Sequence, residues 1–256
     1  MPNELLRITR NRNYVIFALN RPEKRNSLNA AMIEAFDRGL GEVETDREVR
    51  ALLIRGEGRG FCSGIDLAEA AGMERGNDPS PLEHLFRRLE QLPIPTVAAI
   101  RGAAIAGGLQ LALHCDLRIA SDDLRMGMTL GKIGLTVPFD FARKLIETVG
   151  APNTNYILLT SDLLDAQRAV AMGLVHEVVS NEDLDPAAIA MVEKLAGNAP
   201  LSMRSLKLIV RRCVRDAFDA EHGDLEEFSA KVRNSADFRE GARAFVEKRK
   251  PVWRGE

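Results

Sequence analysis

Residues 96–120 read TVAAIRGAAIAGGLQLALHCDLRIA, and this stretch decides the fold of the chain. Its first five residues are β-branched or small and apolar, a composition typical of a buried strand. A small-residue turn at 104–108 follows, and the apolar residues at 109–117 predict a mostly buried helix. A strand that passes through glycines into a helix leaves backbone N–H groups free, where an anion or a developing oxyanion can bind. A junction that needs glycine only for packing is the alternative.

The composition is that of an ordinary globular protein. The 256 residues are 45% hydrophobic and 28% charged, and their net charge of −2 gives no general attraction to nucleic acids or anionic membranes. A ligand that carries phosphates would therefore need a local basic cluster. Three cysteines lie far apart, at Cys62, Cys115 and Cys213, and no leader, membrane span or metal-ligand spacing is recognised. These features predict a cytoplasmic protein without a disulfide framework or a metal.

A second glycine-containing stretch, GFCSGIDL at 60–67, follows the strand-like residues 51–55. Together with residues 96–120 it resembles the crotonase family, also called the enoyl-CoA hydratase/isomerase superfamily. The resemblance covers nearly the whole chain. Further matching motifs occur in the family's order: LNRP at 19–22, NSLN at 26–29, GLV at 173–175, EGARAF at 240–245 and KRKP at 248–251.

The resemblance implies an α/β crotonase fold, a spiral of ββα units with a helical C-terminal oligomerisation region. We place the core at residues 1–195 and the helical segment at 196–256, and we expect a homotrimer or homohexamer. The residues agree with this order, since they predict a hairpin at 5–19, a helix capped by Ser27 or Asn29, and mostly helices after Pro138. Helices at 139–149 and 154–160, with a stop at Gly150, a strand at 174–179, a helix at 221–232 and a mobile loop at 72–81 are further predictions. The charged faces of the C-terminal helices are equally typical of solvated surface.

In this family a coenzyme A thioester binds with its carbonyl between two backbone N–H groups, and the motif positions assign these to Ile65 and Gly107. The physics agrees, because two preorganised amide donors stabilise the oxygen of a thioester enolate without any titratable group. Such positions require backbone freedom more than a particular side chain, which explains glycines at 64, 107 and 108.

The resemblance also implies contacts with coenzyme A. Lys24 and Arg25 lie on a loop near its nucleotide end, where they would pair with phosphates, although two such residues on a loop are also typical of solvated surface. Ser63 matches a position whose carbonyl meets the adenine, and Lys250 lies in a segment that reaches towards coenzyme A. The other predicted binding residues are Gly64, Asp66 and Gly108. No separate cofactor is expected, because coenzyme A is part of the substrate.

The two positions that carry glutamates in a hydratase of this family hold other residues here. The first, three residues after Gly107, is Gln110, and the second, just before the turn at Gly134, is Leu130. Glutamine can hydrogen-bond a water but cannot accept its proton at neutral pH, and leucine can do neither. Because a general acid or base contributes about 10²–10⁴-fold, we expect hydration to be very slow.

Other residues are candidates for acid–base work. Relatives that isomerise double bonds often place an Asp slightly after this turn, at the position of Pro138, and Asp140 is two residues later. A carboxylate in a first helical turn also favours the helix dipole, which is the structural alternative. His84 lies on the helix before the central strand, in a region that lines the acyl pocket in some relatives, and a charged helix surface is its alternative. His114 is either a partner of Gln110 on one helix face or a core histidine.

We therefore predict an enzyme of the enoyl-CoA hydratase/isomerase family that stabilises a thioester enolate, with isomerase-type or other enolate chemistry favoured over efficient hydration. A catalytically degenerate thioester-binding or structural protein is the alternative, because Gln110 and Leu130 replace the glutamates. A dinucleotide-binding dehydrogenase is disfavoured, since the glycines are not spaced G-x-G-x-x-G. A serine hydrolase is disfavoured, since no G-x-S-x-G elbow occurs.

Overall fold

The computed structural model describes residues 4–67, 80–215, 230 and 233–252. Most of the predicted loop at 72–81 and nearly all of the predicted helix at 221–232 lie outside these residues.

The described strands form two sheets. They are β1 (Leu6–Arg10), β2 (Tyr14–Leu19), β3 (Ala51–Gly56), β4 (Thr96–Ile100), β5 (Ala103–Ile105), β6 (Leu117–Ser121), β7 (Arg125–Gly127), β8 (Leu164–Asp165) and β9 (Glu177–Val179). The larger sheet has the order β1-β2-β3-β4-β6-β9, in which only the β1–β2 hairpin is antiparallel. The smaller sheet has the order β5-β7-β8. Because parallel strands are covered on both faces, β4 is buried at every position, as its apolar sequence predicts.

The helices lie between and after these strands. They are α1 (Ala30–Thr45), α2 (Pro81–Gln91), α3 (Gly107–Leu113), α4 (Phe139–Thr160), α5 (Ala166–Ala171), α6 (Leu184–Ala196), α7 (Pro200–Arg215) and α8 (Ala236–Val246). Two short 3₁₀ turns, at Pro22–Lys24 and Leu130–Ile133, flank the regions that the sequence assigns to the site. No helix in the described part of the chain combines the length and the apolar character that a membrane crossing requires.

Side chains on the two faces of the larger sheet enter different hydrophobic clusters. Along β3, Leu52 and Ile54 belong to the main core, whereas Leu53 belongs to a second cluster on the other face, as the period of two requires. In the main core, Phe17 packs edge-on against Phe36 of α1, with ring centroids 5.3 Å apart. The second cluster is covered by α6, whose apolar residues recur every four positions: Leu184, Ala188, Val192 and Ala196. This packing holds β3 and β4 rigidly beneath the loops that follow them.

Several local predictions are confirmed, and others need correction. Asn29 is the N-cap of α1, where its side chain accepts a hydrogen bond from the Met32 N–H at 3.0 Å. Gly150, with φ +73°, interrupts α4 as the predicted stop requires, but the helix resumes at once. The predicted strand at 174–179 was wrong in its first half, because β9 begins only at Glu177. His176 precedes it and accepts the Arg118 N–H at 3.1 Å through Nδ1.

The α/β class and the crotonase-type order of strands and helices are confirmed, and the described chain after residue 196 is helical. The domain boundary at 195/196 and the oligomerisation role of the last segment stay predictions.

Candidate functional site

The Ile65 N–H is oriented by a short parallel bridge to Leu28. The Leu28 N–H donates to the Gly64 carbonyl at 2.8 Å, and the Asp66 N–H donates to the Leu28 carbonyl at 2.9 Å. In such a parallel bridge Leu28 makes both hydrogen bonds. The N–H and carbonyl of Ile65, which lies between Gly64 and Asp66, therefore point away from Leu28. Gly107 is close by, since a Cβ atom built on it would lie 3.4 Å from the Ile65 nitrogen.

The Gly107 N–H is held by a second bridge, between Cys62 and Ala104. The Cys62 N–H donates to the Ala103 carbonyl and the Ile105 N–H to the Cys62 carbonyl, both at 3.0 Å. Ala106 then turns the chain with φ +50°, and Gly107 begins α3 with an N–H that has no partner within the helix. Neither this N–H nor that of Ile65 donates a hydrogen bond to any residue that the structure describes. We call these two N–H groups the oxyanion site.

Close backbone contacts at this site require glycine. Gly64 has φ +93°, and a Cβ on it would lie 2.9 Å from both the Gly107 nitrogen and the Ile105 carbonyl oxygen. A Cβ on Gly108 would overlap the Cys62 carbonyl oxygen. Each glycine thus lets the 60–67 loop and the start of α3 approach closely, and the resulting pair of parallel donors can hold one negatively charged oxygen.

Three of the predicted coenzyme A residues are close together. Lys24 and Arg25 are exposed at the end of the 3₁₀ turn Pro22–Lys24, and the Ser63 N–H donates to the Arg25 carbonyl at 3.1 Å. Lys250 is exposed in a different region, beyond α8, where Arg249 pairs with Glu240. The phosphate-binding roles of these residues stay predictions.

The two positions that hold glutamate in a hydratase have no carboxylate. Gln110 is 7% exposed and lies one helical turn after Gly107. Leu130 begins the 3₁₀ turn Leu130–Ile133 and packs against the main core. This turn is covered by α8, because a Cβ on Gly241 would overlap the Ile133 carbonyl. The C-terminal helix therefore holds Leu130 in place, a contact between distant parts of the chain that the sequence did not reveal.

A cavity of about 1070 Å³ opens between α2, α3, α4 and α7. Gln110 and Asp140 both lie on its wall, whereas Ile65 and Gly107 are not among the described residues that line it. Among the described residues no group of three or more His, Cys, Asp or Glu side chains is placed to hold a metal ion.

The same wall carries a partly buried ionic cluster that sequence reasoning missed. Lys144 Nζ lies 2.5 Å from Glu90 and 3.9 Å from Glu147, and Arg143 lies 3.1 Å from Glu147. Burial raises the pKa of Glu147. Burial, the largest single cause, opposes the charge of Glu90, but Lys144, His114 and Arg143 together outweigh it and hold the Glu90 pKa below its usual range. The charges at 143, 144 and 147 resemble an ordinary solvated helix face in the sequence, and only the packing of α4 shows that they are partly buried.

The structure separates the two candidate acid–base residues. Asp140 lies in the first turn of α4, after the N-cap Pro138, and its Oδ2 accepts a hydrogen bond from Arg87 Nη2 at 3.0 Å. It shares the cavity wall with Gln110. His84 lies on the exposed side of α2 and is not among the described residues that line the cavity. A surface position is therefore the better interpretation of His84.

His114 is a core histidine that is bonded to its neighbour in the helix. Its Nδ1 lies 2.7 Å from the Gln110 carbonyl oxygen, and its ring stacks on Phe86 with centroids 5.2 Å apart. A carbonyl only accepts, so Nδ1 carries the proton in the neutral ring. Burial lowers the pKa of His114 below its ordinary value of 6.5.

We expect His114 to be neutral at pH 7, with its proton on Nδ1, and to titrate below pH 6.5. Because the unfolded chain binds this proton more readily, the contribution of His114 to stability is complete above pH 6.5 and is lost as the pH falls towards the folded-state pKa. Nitrogen-15 NMR of the imidazole rings, with His114→Gln for assignment and the exposed His84 as internal control, measures the titration. An imidazolium signal from His114 at pH 7 would contradict the prediction.

Comparisons with known proteins agree with these features. A family model described as enoyl-CoA hydratase/isomerase matches residues 9–256. A putative enoyl-CoA hydratase of Thermus thermophilus is 36% identical over 243 residues, which cover 93% of this chain and 95% of the relative. The mitochondrial methylglutaconyl-CoA hydratase of Rattus norvegicus is 32% identical over 254 residues, which cover 96% of this chain and 81% of the relative.

The fold agrees as well. The crystal structure of an enoyl-CoA hydratase/isomerase from Pseudoalteromonas atlantica T6c is similar with a TM-score of 0.88 and 29% identity, and the match covers 98% of this chain and 100% of that one. Motif order, backbone geometry and near-complete coverage thus lead to one conclusion: the chain belongs to the enoyl-CoA hydratase/isomerase family, the crotonase superfamily, and is an acyl-CoA-processing enzyme of that family.

Proposed function

We propose that this enzyme moves protons on a coenzyme A thioester through its enolate, in a reaction of isomerase type, and is a poor hydratase. The observation that carries the proposal is the combination of the paired N–H groups of Ile65 and Gly107 with the absence of a carboxylate at Gln110 and Leu130. The paired donors support enolate formation. The missing carboxylates remove the usual means of activating water.

In the proposed reaction, the Asp140 carboxylate takes a proton from the carbon next to the thioester carbonyl of a 3-enoyl-CoA. The C–H electron pair moves towards the carbonyl, and the negative charge gathers on the oxygen between the Ile65 and Gly107 N–H groups. The carboxyl proton of Asp140 exchanges with water, and Asp140 then delivers a proton to the far end of the dienolate, which moves the double bond and restores the carbonyl. One proton is removed and one is returned, so no oxidant, metal or separate cofactor takes part, and coenzyme A enters as part of the substrate.

Two observations support Asp140 in this role. It lines the same cavity as Gln110, whose amide would orient the acyl group, and its carboxylate accepts a hydrogen bond from the Arg87 guanidinium. His84, the other candidate, is on the exposed side of α2. A side chain that moves a proton must reach the reacting carbon directly or through one water, and of these two residues Asp140 is on the cavity wall.

Coenzyme A and a second copy of the chain are the proposed partners. Lys24, Arg25 and Lys250 would pair with the phosphates of coenzyme A, and Ser63 would meet its adenine. Large apolar side chains are exposed on α7, and their burial between copies would favour a homotrimer or homohexamer: Leu201, Leu206, Ile209 and Val210. A reducing compartment such as the cytoplasm suits a chain with three scattered cysteines.

The test is a product screen by mass spectrometry. The purified protein meets 2-enoyl, 3-enoyl, dienoyl, 3-keto and malonyl thioesters of coenzyme A, with methylglutaconyl-CoA included because one relative is named for it. Deuterium uptake from deuterium oxide without oxygen uptake from heavy-oxygen water supports the proposal. Heavy oxygen in a hydroxyacyl product shows hydration and contradicts it. Thioester binding without any turnover favours the non-catalytic alternative, which the residues at 110 and 130 motivate.

Asp140→Asn is expected to lower the rate of proton exchange by about 10²–10⁴-fold, because an amide cannot accept the proton. Stability should change little, since the pair with Arg87 is half exposed and such pairs contribute about 0–1 kcal/mol. Asp162→Asn is the matched control, because Asp162 is equally exposed and pairs with Lys132. His84→Ala should also leave the rate unchanged. An unaltered exchange rate in Asp140→Asn would exclude this residue.

A further inference from the structure

A buried ion pair lies next to the Ile65 N–H in the chain. Arg21 Nη2 donates to Asp66 Oδ2 at 3.1 Å, and the two side chains are only 11% and 16% exposed. Asp66 directly follows Ile65, and its N–H makes one of the two hydrogen bonds of the bridge that orients Ile65. The ion pair therefore acts on a residue whose backbone helps to set the direction of the oxyanion donor.

The Arg21 guanidinium also contacts the other strand of this bridge. Nη1 donates to the Ser27 carbonyl at 2.8 Å and lies 3.3 Å from the Ser27 hydroxyl oxygen. Ser27 directly precedes Leu28, the bridge partner of Ile65. One planar guanidinium thus joins the residue before Leu28 to the residue after Ile65, so its fixed fork holds the two strands of the bridge at one separation.

The backbone of Arg21 is itself fixed. The Arg21 N–H donates to the Asn26 side-chain oxygen at 2.9 Å, and Asn26 is fully buried. The Asn26 amide nitrogen donates in turn to the carbonyls of Glu57 and Gly60, at 2.9 and 2.8 Å, in the segment that leads to the 60–67 loop. Arg21 and Ile65 therefore belong to one hydrogen-bonded unit.

We propose that Arg21 is a positioning residue that keeps the Ile65 N–H aimed at the oxygen of the bound thioester, acting through Asp66 and the Leu28–Ile65 bridge. This inference rests on the proposed function of the oxyanion site. A donor must meet the oxygen within about 0.5 Å of the right position to stabilise it fully. Lysine keeps the charge of Arg21 but not the rigid fork, so it cannot hold Ser27 and Asp66 at once.

The test uses Arg21→Lys and a thioester with carbon-13 at the carbonyl. Infrared spectroscopy of the bound thioester reports the hydrogen bonds to its oxygen, because they lower the carbonyl stretching frequency. We expect the carbonyl stretching frequency to be lowered less in Arg21→Lys than in the wild-type protein. We also expect kcat to fall by about 10²-fold, the effect of a misplaced catalytic group, here the Ile65 N–H. The Kd of free coenzyme A, which has no thioester carbonyl, should stay the same.

Asp66→Asn should change the carbonyl band and kcat as Arg21→Lys does. The double variant should be no worse than either single variant, because both substitutions act through one contact.

Arg88→Lys is the matched control. Arg88 makes a bidentate contact with Glu44, at 3.0 and 2.7 Å, which joins α2 to α1 and does not involve the oxyanion site. Its loss should lower the unfolding temperature and leave the carbonyl band unchanged. If Arg21→Lys does the same, the pair is only structural and the inference is wrong.

The infrared measurement also separates this inference from the proposed function. A wild-type protein without proton exchange would contradict the proposed function, while a carbonyl shift that Arg21→Lys diminishes would still support positioning. A bound thioester whose carbonyl band is unshifted in the wild-type protein would overturn the positioning role.

Discussion

Gly64→Ala is expected to lower kcat by about 10²–10³-fold, the effect of losing one oxyanion donor. The added methyl group would lie 2.9 Å from the Gly107 nitrogen, against one of the two N–H groups of the oxyanion site. Its contact with the Ile105 carbonyl would also force the two loops apart. Steady-state kinetics and the infrared band of the bound thioester measure the loss.

The matched control for this substitution is Gly150→Ala. Gly150 has a positive φ of +73°, comparable with +93° at Gly64, but the nearest atom to a new Cβ is Pro152 Cδ at 3.8 Å. Both variants carry the strain of an alanine with positive φ, about 1–3 kcal/mol, and only Gly64→Ala places a methyl group against the Gly107 N–H. Equal losses of activity in the two variants, with equal losses of stability in urea, would show that backbone strain alone is responsible.

Restoring both glutamates should create hydratase activity. Gln110→Glu and Leu130→Glu together supply one group to take a proton from water and another to deliver a proton to the substrate, and each such group contributes about 10²–10⁴-fold. Gln110→Glu changes little in shape, whereas Leu130→Glu places a carboxyl at a position that packs against the core and should cost stability. The gain in hydratase activity is measured as the heavy oxygen that the product takes up from water when the double variant acts on a 2-enoyl-CoA.

The control for this pair separates charge from shape. The control is Leu130→Gln with the native Gln110. Its side chains at 110 and 130 have nearly the same volume as those of the double variant but carry no titratable group, so it should not hydrate a 2-enoyl-CoA. A double variant that binds coenzyme A thioesters as well as the wild-type protein and still incorporates no heavy oxygen would show that the two carboxylates are not the only difference from a hydratase.

Part of the oxyanion site is visible in the sequence as two short glycine-containing stretches. The positive φ of Gly64 is a local backbone property, whereas the close approach that the glycines at 64, 107 and 108 permit joins two segments that are distant in the sequence. The Asn29 cap and the break at Gly150 are local backbone properties as well. The absence of carboxylates at positions 110 and 130 can also be read from the sequence, because the chemical type of a side chain does not depend on the fold.

Tertiary structure alone decided which side chains meet. The sequence offered Asp140 and His84 as equal candidates, and only the packing of α2 and α4 places the first on the cavity wall and leaves the second exposed. It likewise joins Arg21 to Asp66 across 45 positions and places the partly buried Lys144 between two carboxylates. The physical reason is that backbone preferences depend on neighbouring residues, whereas burial and ionic partners depend on distant segments that meet only in the folded chain.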